Sequence, residues 1–336
     1  MIRVIFGVHL IWLLVFSLAL AKKPKHSVRS RKGKALCDTV HKVLPTKFYL
    51  RTHDHFNLSS ATANQEDNIF ENHLKPDKDV AVIVHEYLAG CDKEFVVEAT
   101  KAFHKTRPEV QVVNVCWNAG LTRLKSRLGA PLGTLGYIPA VQYLPCVGDY
   151  VAKFLKRIHQ ESHVPWNRIT LICHSLGCQL SGDAGNKVGG KPRKIIALDP
   201  ATPFYGYSKL TKSLLNPKSA KHVIVLHTAR LQYSMGTADF YANAEKQPGC
   251  EKNLETVKEV VVDLWYCSHS RSFQYFIESV LKPDAFPARK CASFKKIKQD
   301  KCEKKNSTFF GPDTEVKGTY FFKTKVREAV LLNGRL

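Results

Sequence analysis

The sequence predicts an α/β fold: a mostly parallel central sheet with helices on both faces. Three observations point there. From Asp77 to about Leu281 short β-branched runs alternate with stretches of helical periodicity. The runs are apolar almost throughout, as strands covered on both faces must be. One of them passes straight into a serine followed by small residues, the pattern of a strand that turns sharply into a helix.

The amino terminus reads as an address. Arg3 precedes an apolar run from Val4 to Leu20, and Ala19-Leu20-Ala21 has the small-x-small form of a cleavage site, so residues 1–21 are expected to be a signal peptide. The rival is a single membrane anchor, for which an apolar run of about 17 residues is at the short end. No later run is long and apolar enough to span a bilayer, which predicts a soluble, secreted mature protein. Residues 22–34 are basic and lack apolar periodicity, so they are expected to be a mobile arm or a trimmed pro-segment. Residues 35–336 are then a single domain.

Within that domain the expected strands are Val80 to Val84, Val110 to Val115, Ile169 to Ile172, Lys194 to Leu198 and Val223 to Leu226. Leu144, Val147, Val151, Leu155 and Ile158 recur at three- and four-residue spacing, which makes an amphipathic helix between the second and third strands. Beyond Leu281 the run Thr319-Tyr320-Phe321-Phe322 is expected as a terminal edge strand of the same sheet. There is no internal repeat.

Composition sets the setting. Hydrophobic residues make up 44% and charged residues 24% of 336, ample for a large core. Ten cysteines in an exported chain predict a disulfide-stapled fold. Asn57-Leu58-Ser59 and Asn306-Ser307-Thr308 are potential glycan acceptors. The formal net charge is +22, concentrated in Lys22 to Lys34 and Lys290 to Lys305. This is either solvated surface or an attraction to an anionic membrane face or sulfated glycan. No motif joins the charge to nucleic acid, and the leader exports the chain, so nucleic acid is not an expected partner.

The chemistry sits in Ile169-Thr170-Leu171-Ile172-Cys173-His174-Ser175-Leu176-Gly177, the context of a nucleophile elbow. Such a turn exposes Ser175 and sets the Leu176 amide where an oxyanion would form. The small residues Gly177, Ser181, Gly182, Ala184 and Gly185 would let the following helix pack closely on the strand. A serine needs a base and a carboxylate that fixes the base's tautomer. Asp199 follows the strand ending at Leu198, and His269 follows in Cys267-Ser268-His269-Ser270-Arg271, giving the order Ser, Asp, His of α/β-hydrolases. Taken singly, Asp199 is a turn residue before Pro200 and His269 one histidine of fourteen.

Ser175-Leu176-Gly177, Leu198-Asp199-Pro200-Ala201 with Pro203, Gly236-Thr237-Ala238-Asp239-Phe240-Tyr241, Pro248-Gly249-Cys250 and Cys267-Ser268-His269 with Arg271 together resemble the pancreatic-lipase superfamily, in particular the secreted phospholipase A1 proteins of insects such as those of wasp venom. The resemblance covers roughly residues 77 to 325. It implies an α/β-hydrolase fold, a Ser175, Asp199, His269 triad, and an oxyanion hole from the amides of Leu176 and Tyr87. It also implies bridges Cys250 with Cys267 around a lid and Cys291 with Cys302, and suggests Cys37 with Cys116. The pairing of Cys91, Cys146, Cys173 and Cys178 stays open, some of them reduced. The carboxy-terminal β-sandwich of the vertebrate digestive lipases is expected to be absent.

In the lid segment, Val257, Val260, Val261, Leu264 and Trp265 form either an amphipathic flap that meets lipid or a small helix packed on the body. The stretch from Thr228 to Gly236 is short compared with triglyceride lipases of the family, which favours phospholipid over triacylglycerol or galactolipid. No cofactor or metal is expected, and a monomer is. Three departures stand out: Cys173 replaces the glycine two residues before the nucleophile, Cys116 replaces an aspartate before Trp117, and His85-Glu86-Tyr87 replaces a His-Gly-aromatic stretch. Glu86 would either oppose the developing oxyanion or turn to solvent. The rival function is a non-catalytic lipid-binding or storage protein on the same scaffold, similar to the yolk proteins of some insects.

Overall fold

The computed structural model describes residues 37–40, 42, 45–51, 60–62, 74–117, 131–202, 214–229, 233–244, 247–250 and 257–324, without the side chains of 60–62, 131–136, 138–139 and 257–265. The expected signal peptide, the basic arm and the Asn57 sequon lie outside the described residues.

In chain order the elements are β1 (Lys47–Arg51), β2 (Ser60–Thr62), β3 (Val80–Val84), α1 (Glu94–Thr106), β4 (Gln111–Cys116), α2 (Pro131–Gln160), β5 (Ile169–His174), α3 (Leu176–Lys187), β6 (Lys194–Leu198), β7 (His222–His227), β8 (Ala238–Ala242), α4 (Val257–Leu281), β9 (Pro287–Cys291), α5 (Phe294–Lys298), β10 (Thr308–Phe309) and β11 (Gly318–Phe322). The strands form one sheet in the order β10-β9-β11-β8-β7-β6-β5-β3-β4-β1-β2. Its centre, from β4 through β8 and on to β11, is parallel, and the edge pairs are antiparallel.

Alternation along the central strands builds two cores. Val80, Val82 and Val84 of β3 face α2 and α3, where Leu144, Val147, Val151, Leu155 and Ile158 are all buried as their helical spacing predicts. Ala81 and Ile83 face the opposite layer, where Phe95, Val96, Ala99 and Phe103 of α1 meet Phe273, Phe276, Ile277 and Val280 of α4. Each of the five expected strands exists: Val80–Val84 and Lys194–Leu198 match end for end, and the other three differ by a residue or two.

The aromatic run near the carboxy terminus is not an edge strand. β11 lies between β8, to which it is parallel, and β9, to which it is antiparallel. Its side chains explain why: Tyr320 and Phe322 pack into the α1 and α4 core, and Phe321 packs with Cys291 and Ile297 on the other face. A strand buried on both faces belongs inside a sheet.

Four disulfides close the fold: Cys37–Cys146, Cys91–Cys116, Cys250–Cys267 and Cys291–Cys302. The last two are those the resemblance implies. The suggested Cys37 with Cys116 bridge is replaced by two others. Cys116 ends β4, parallel to β3, so its neighbour is the loop after β3 that carries Cys91. Cys37 is instead joined to Cys146 on α2.

The small residues of α3 serve more than the strand. A Cβ on Gly177 would stand 2.4 Å from the His85 carbonyl oxygen, at the end of β3, while Cβ atoms on Gly182 and Gly185 would collide with the backbone of residues 214–219. Gly182→Ala would put its methyl 2.4 Å from Leu215 Cα, whereas Gly311→Ala meets only ordinary contacts at 3.4 Å. Urea unfolding with the disulfides intact is expected to show a loss of about 1–3 kcal/mol for the first and within about 0.5 kcal/mol for the second.

Candidate active site

Parallel strands that share a register end on one edge, and there the chain can gather residues distant in sequence. β3 ends into His85, Glu86 and Tyr87; β5 into Ser175; β6 into Asp199; and β7 into Thr228 and Ala229. His269 comes to the same edge from α4.

Ser175 occupies the turn between β5 and α3 with φ 54° and ψ −121°. This is a region that side-chain-bearing residues avoid, at a cost of about 1–3 kcal/mol. The surroundings enforce it: the Ser175 amide donates to the Leu198 carbonyl at 3.0 Å, and its carbonyl accepts from the amides of Ala201 and Cys178 at 3.0 and 3.1 Å. Gly177, the second residue of α3, lets the helix start against the end of β3. Leu176 is the first residue of α3, so its N–H has no acceptor within the helix.

Asp199 is 1% exposed and fully committed. Its Oδ2 accepts from His269 Nδ1 at 2.5 Å, and its Oδ1 accepts from the amides of Thr228 and Ala229 at 2.9 and 3.1 Å. The two amides are contributions that sequence reading did not identify, because a backbone donor leaves no trace in residue type. Thus the imidazole is held with Nδ1 protonated and Nε2 directed elsewhere, the tautomer a general base requires. Burial, and then the charge of His174, push the His269 pKa below the ordinary histidine value, while Asp199 opposes the shift. The ring is therefore a neutral acceptor at pH 7.

The departures resolve structurally. Cys173 is buried in the α2 and α3 core, its thiol 3.5 Å from the Ile196 carbonyl, beside the equally buried Cys178; both are reduced. Burial and the neighbouring Cys173 push the Cys178 thiol well above its ordinary pKa, so it stays protonated. Cys116 is consumed by its bridge to Cys91. Glu86 does neither of the expected things: its carboxylate is turned inward, with Oε2 3.4 Å from His174 Nδ1. Tyr87 goes the opposite way, its ring edge-on to Tyr137 of α2 at 5.1 Å, and burial raises its pKa to about 12. The stretch itself is fixed by the Trp117 indole, which donates to the His85 carbonyl at 3.0 Å.

The lid segment is the start of a longer helix than expected. Val260, Val261, Leu264 and Trp265 fall in the first turns of α4, the same continuous helix that carries His269, and not in a separate small helix. Their side chains lie outside the described residues. The Cys250–Cys267 bridge ties the base of this stretch to the turn after β8, and Tyr266, just before the bridge, is 65% exposed. Asn306 is exposed beside β10.

A second buried pair lies nearby: His227 Nε2 is 2.8 Å from Asp239 Oδ1, which also accepts from the Met235 amide, while Asp239 Oδ2 accepts from the Gly236 amide and the Ser234 hydroxyl. It closes the turn between β7 and β8. Among the described residues no three His, Cys, Asp or Glu side chains are grouped to hold a metal, and no helix is long and apolar enough to cross a membrane.

Residues 13–320 match the family model described as Lipase. The chain is 28% identical over 280 residues to the pancreatic triacylglycerol lipase of Sus scrofa, covering 78% of this chain and 59% of that one. It is 29% identical over 276 residues to the inactive pancreatic lipase-related protein 1 of Homo sapiens, covering 76% and 56%. It thus spans a little over half the length of these curated relatives. The solved structure of Est1E from Butyrivibrio proteoclasticus with ferulic acid overlaps 71% of this chain and 94% of that one, at a TM-score of 0.34 and 10% identity, a distance at which the likeness carries no argument. With a family match that runs through the elbow, the carboxylate and the histidine, the chain belongs to the lipase family.

Proposed function

We propose that the chain is a secreted lipid carboxylic-ester hydrolase of the phospholipase A1 type, releasing a fatty acid from a glycerophospholipid. The observation that carries this reading is the 2.5 Å bond from His269 to a buried, doubly braced Asp199, next to a serine in a strained strand-to-helix turn. Family membership alone is not enough, since one relative is named inactive. In the proposed reaction His269 takes the proton of Ser175, Ser175 attacks the ester carbonyl, and the amides of Leu176 and Tyr87 receive the negative oxygen. The intermediate collapses as His269 donates that proton to the departing glycerol oxygen of the lysophospholipid. Water then attacks the acyl-enzyme with His269 again as base, and the proton returns to Ser175 as the fatty acid leaves. Four disulfides favour the secreted setting.

The phospholipid assignment rests on the stretch after β7. The Thr228 and Ala229 amides are tied to Asp199, and the Met235 and Gly236 amides to Asp239, leaving few residues to project over the site. A polar headgroup then has room. Triacylglycerol is the alternative, supported by the names of the relatives.

Purified protein is expected to release more fatty acid from phosphatidylcholine than from triglyceride, and Ser175→Ala to lose at least about a thousandfold on both. Equal release by the two proteins contradicts the mechanism; preference for triglyceride contradicts only the substrate. Asp199→Asn keeps the shape but removes the acceptor that fixes the tautomer, so kcat should fall by about 10³–10⁴ with the fold retained by circular dichroism.

The basic carboxy-terminal stretch supports a role in reaching the lipid. Lys290, Lys295, Lys296, Lys298, Lys301, Lys304 and Lys305 are all exposed around β9 and α5. Adsorption to vesicles containing phosphatidylserine should weaken as salt is raised from 50 to 500 mM, read by co-sedimentation, because exposed charges beyond about 10 Å are screened at 0.1 M. Salt-independent adsorption would assign binding to apolar contact, for which the exposed Tyr266 is the candidate, instead.

A further inference from the structure

We propose that Glu86 and His174 are positioning residues for His269: an ionised pair, buried beside the triad, that anchors the His269 main chain and sets a positive charge against its imidazole. The inference rests on the triad reading above.

The His174 ring is boxed in. It is 2% exposed, edge-on to Phe95 at 5.8 Å and to Phe273 at 5.2 Å, and its centroid is 4.4 Å from that of His269. Its Nε2 lies 3.3 Å from the His269 carbonyl oxygen, which can only accept, so Nε2 carries a proton. Its Nδ1 faces Glu86 Oε2 at 3.4 Å. A carboxylate also accepts, so a neutral ring would set lone pair against lone pair. Only the imidazolium suits both neighbours.

Glu86 provides the matching charge. Burial by itself would raise its pKa, but His174 beside it outweighs burial and holds the carboxyl at about 2. The other ionisable groups bearing on the pair do not compete. His85 on the same loop has its pKa lowered by burial, Glu94 on α1 is raised by burial and Asp92 is held down by Lys93, while Asp199 is committed to His269 and two amides.

The carboxylate therefore has an account in this chain. The alternation of Glu86 and Tyr87 sends the acid toward the α1 and α4 layer and the tyrosine toward α2, away from each other. A cation 4.4 Å from the His269 ring discourages a second positive charge there more than Glu86, which acts in the opposite sense, favours one, so the base stays free further into acid.

The test compares the wild type, Glu86→Gln, His174→Gln and the double variant on a soluble nitrophenyl butyrate ester. The wild-type acid limb of kcat/KM should have its midpoint below the ordinary histidine value of 6.5. Each single variant removes the imidazolium, by loss of its counter-charge or of the ring, so each should move that limb upward by about half a unit or more. kcat should fall about three- to thirtyfold with KM within about twofold, as for a misplaced base. The double variant should move no further than either single one. An unmoved limb, or shifts that add, overturns the proposal. Nitrogen NMR of labelled histidine in Ser175→Ala protein gives a readout independent of turnover: a doubly protonated His174 at pH 7 that becomes singly protonated with Glu86→Gln supports the pair, and a neutral ring in the parent overturns it. Should Glu86→Gln fail to fold, Glu86→Gly restores the residue of the His-Gly-aromatic stretch and must give the same shift. Hydrolysis that survives Ser175→Ala would refute the triad and leave the NMR result standing.

Discussion

A carboxylate buried to 1% exposure sits at the centre of this molecule, and the contacts around it follow from the need to satisfy it. Asp199 left unpaired would be untenable away from water. It is satisfied by one imidazole N–H from α4 and two backbone amides beyond β7, which pins two remote parts of the chain to the end of β6. The same three bonds fix the tautomer of His269. In the proposed mechanism the bonds that stabilise this buried carboxylate also orient the base.

What allows those parts to meet is the parallel sheet. β3, β5, β6 and β7 lie side by side in one register, so their carboxyl ends open on one edge, and the strained turn at Ser175 projects from the middle of it. Glycine at 177 is needed because a Cβ there would stand 2.4 Å from the His85 carbonyl oxygen; glycine at 173 is not, because a thiol fits the core on that side. A buried thiol at Cys173, the Cys91–Cys116 bridge and an inward-turned glutamate at Glu86 are how this chain departs from the expected pattern without disturbing that edge.

The central strands and α2 were legible because burial on both faces and a 3.6-residue period each leave a mark on residue type. The places of Ser175 and Asp199 at strand ends were legible because a wound sheet gathers residues there, whereas His269 reaches that edge from helix α4 and was read from the order of the three residues and the family resemblance. The position of β11 was not, since a buried edge and a buried interior read alike until its second partner, β9, is known. Nor was the pairing of Cys37, which depends on where the amino-terminal segment lies against α2. Glu86 was recognised as out of place, but its partner lies 88 residues away on another strand end, and no spacing rule reaches that far.

The central claim is that Ser175 is the activated nucleophile of this edge. Incubation with a serine-directed lipid phosphonate, followed by mass spectrometry of the digested protein, tests it most directly. A single adduct on the peptide carrying Ser175, abolished by Ser175→Ala and slowed by Asp199→Asn, is the predicted result. No adduct from the intact, folded protein, or one that forms equally in the Ser175→Ala variant, would contradict it.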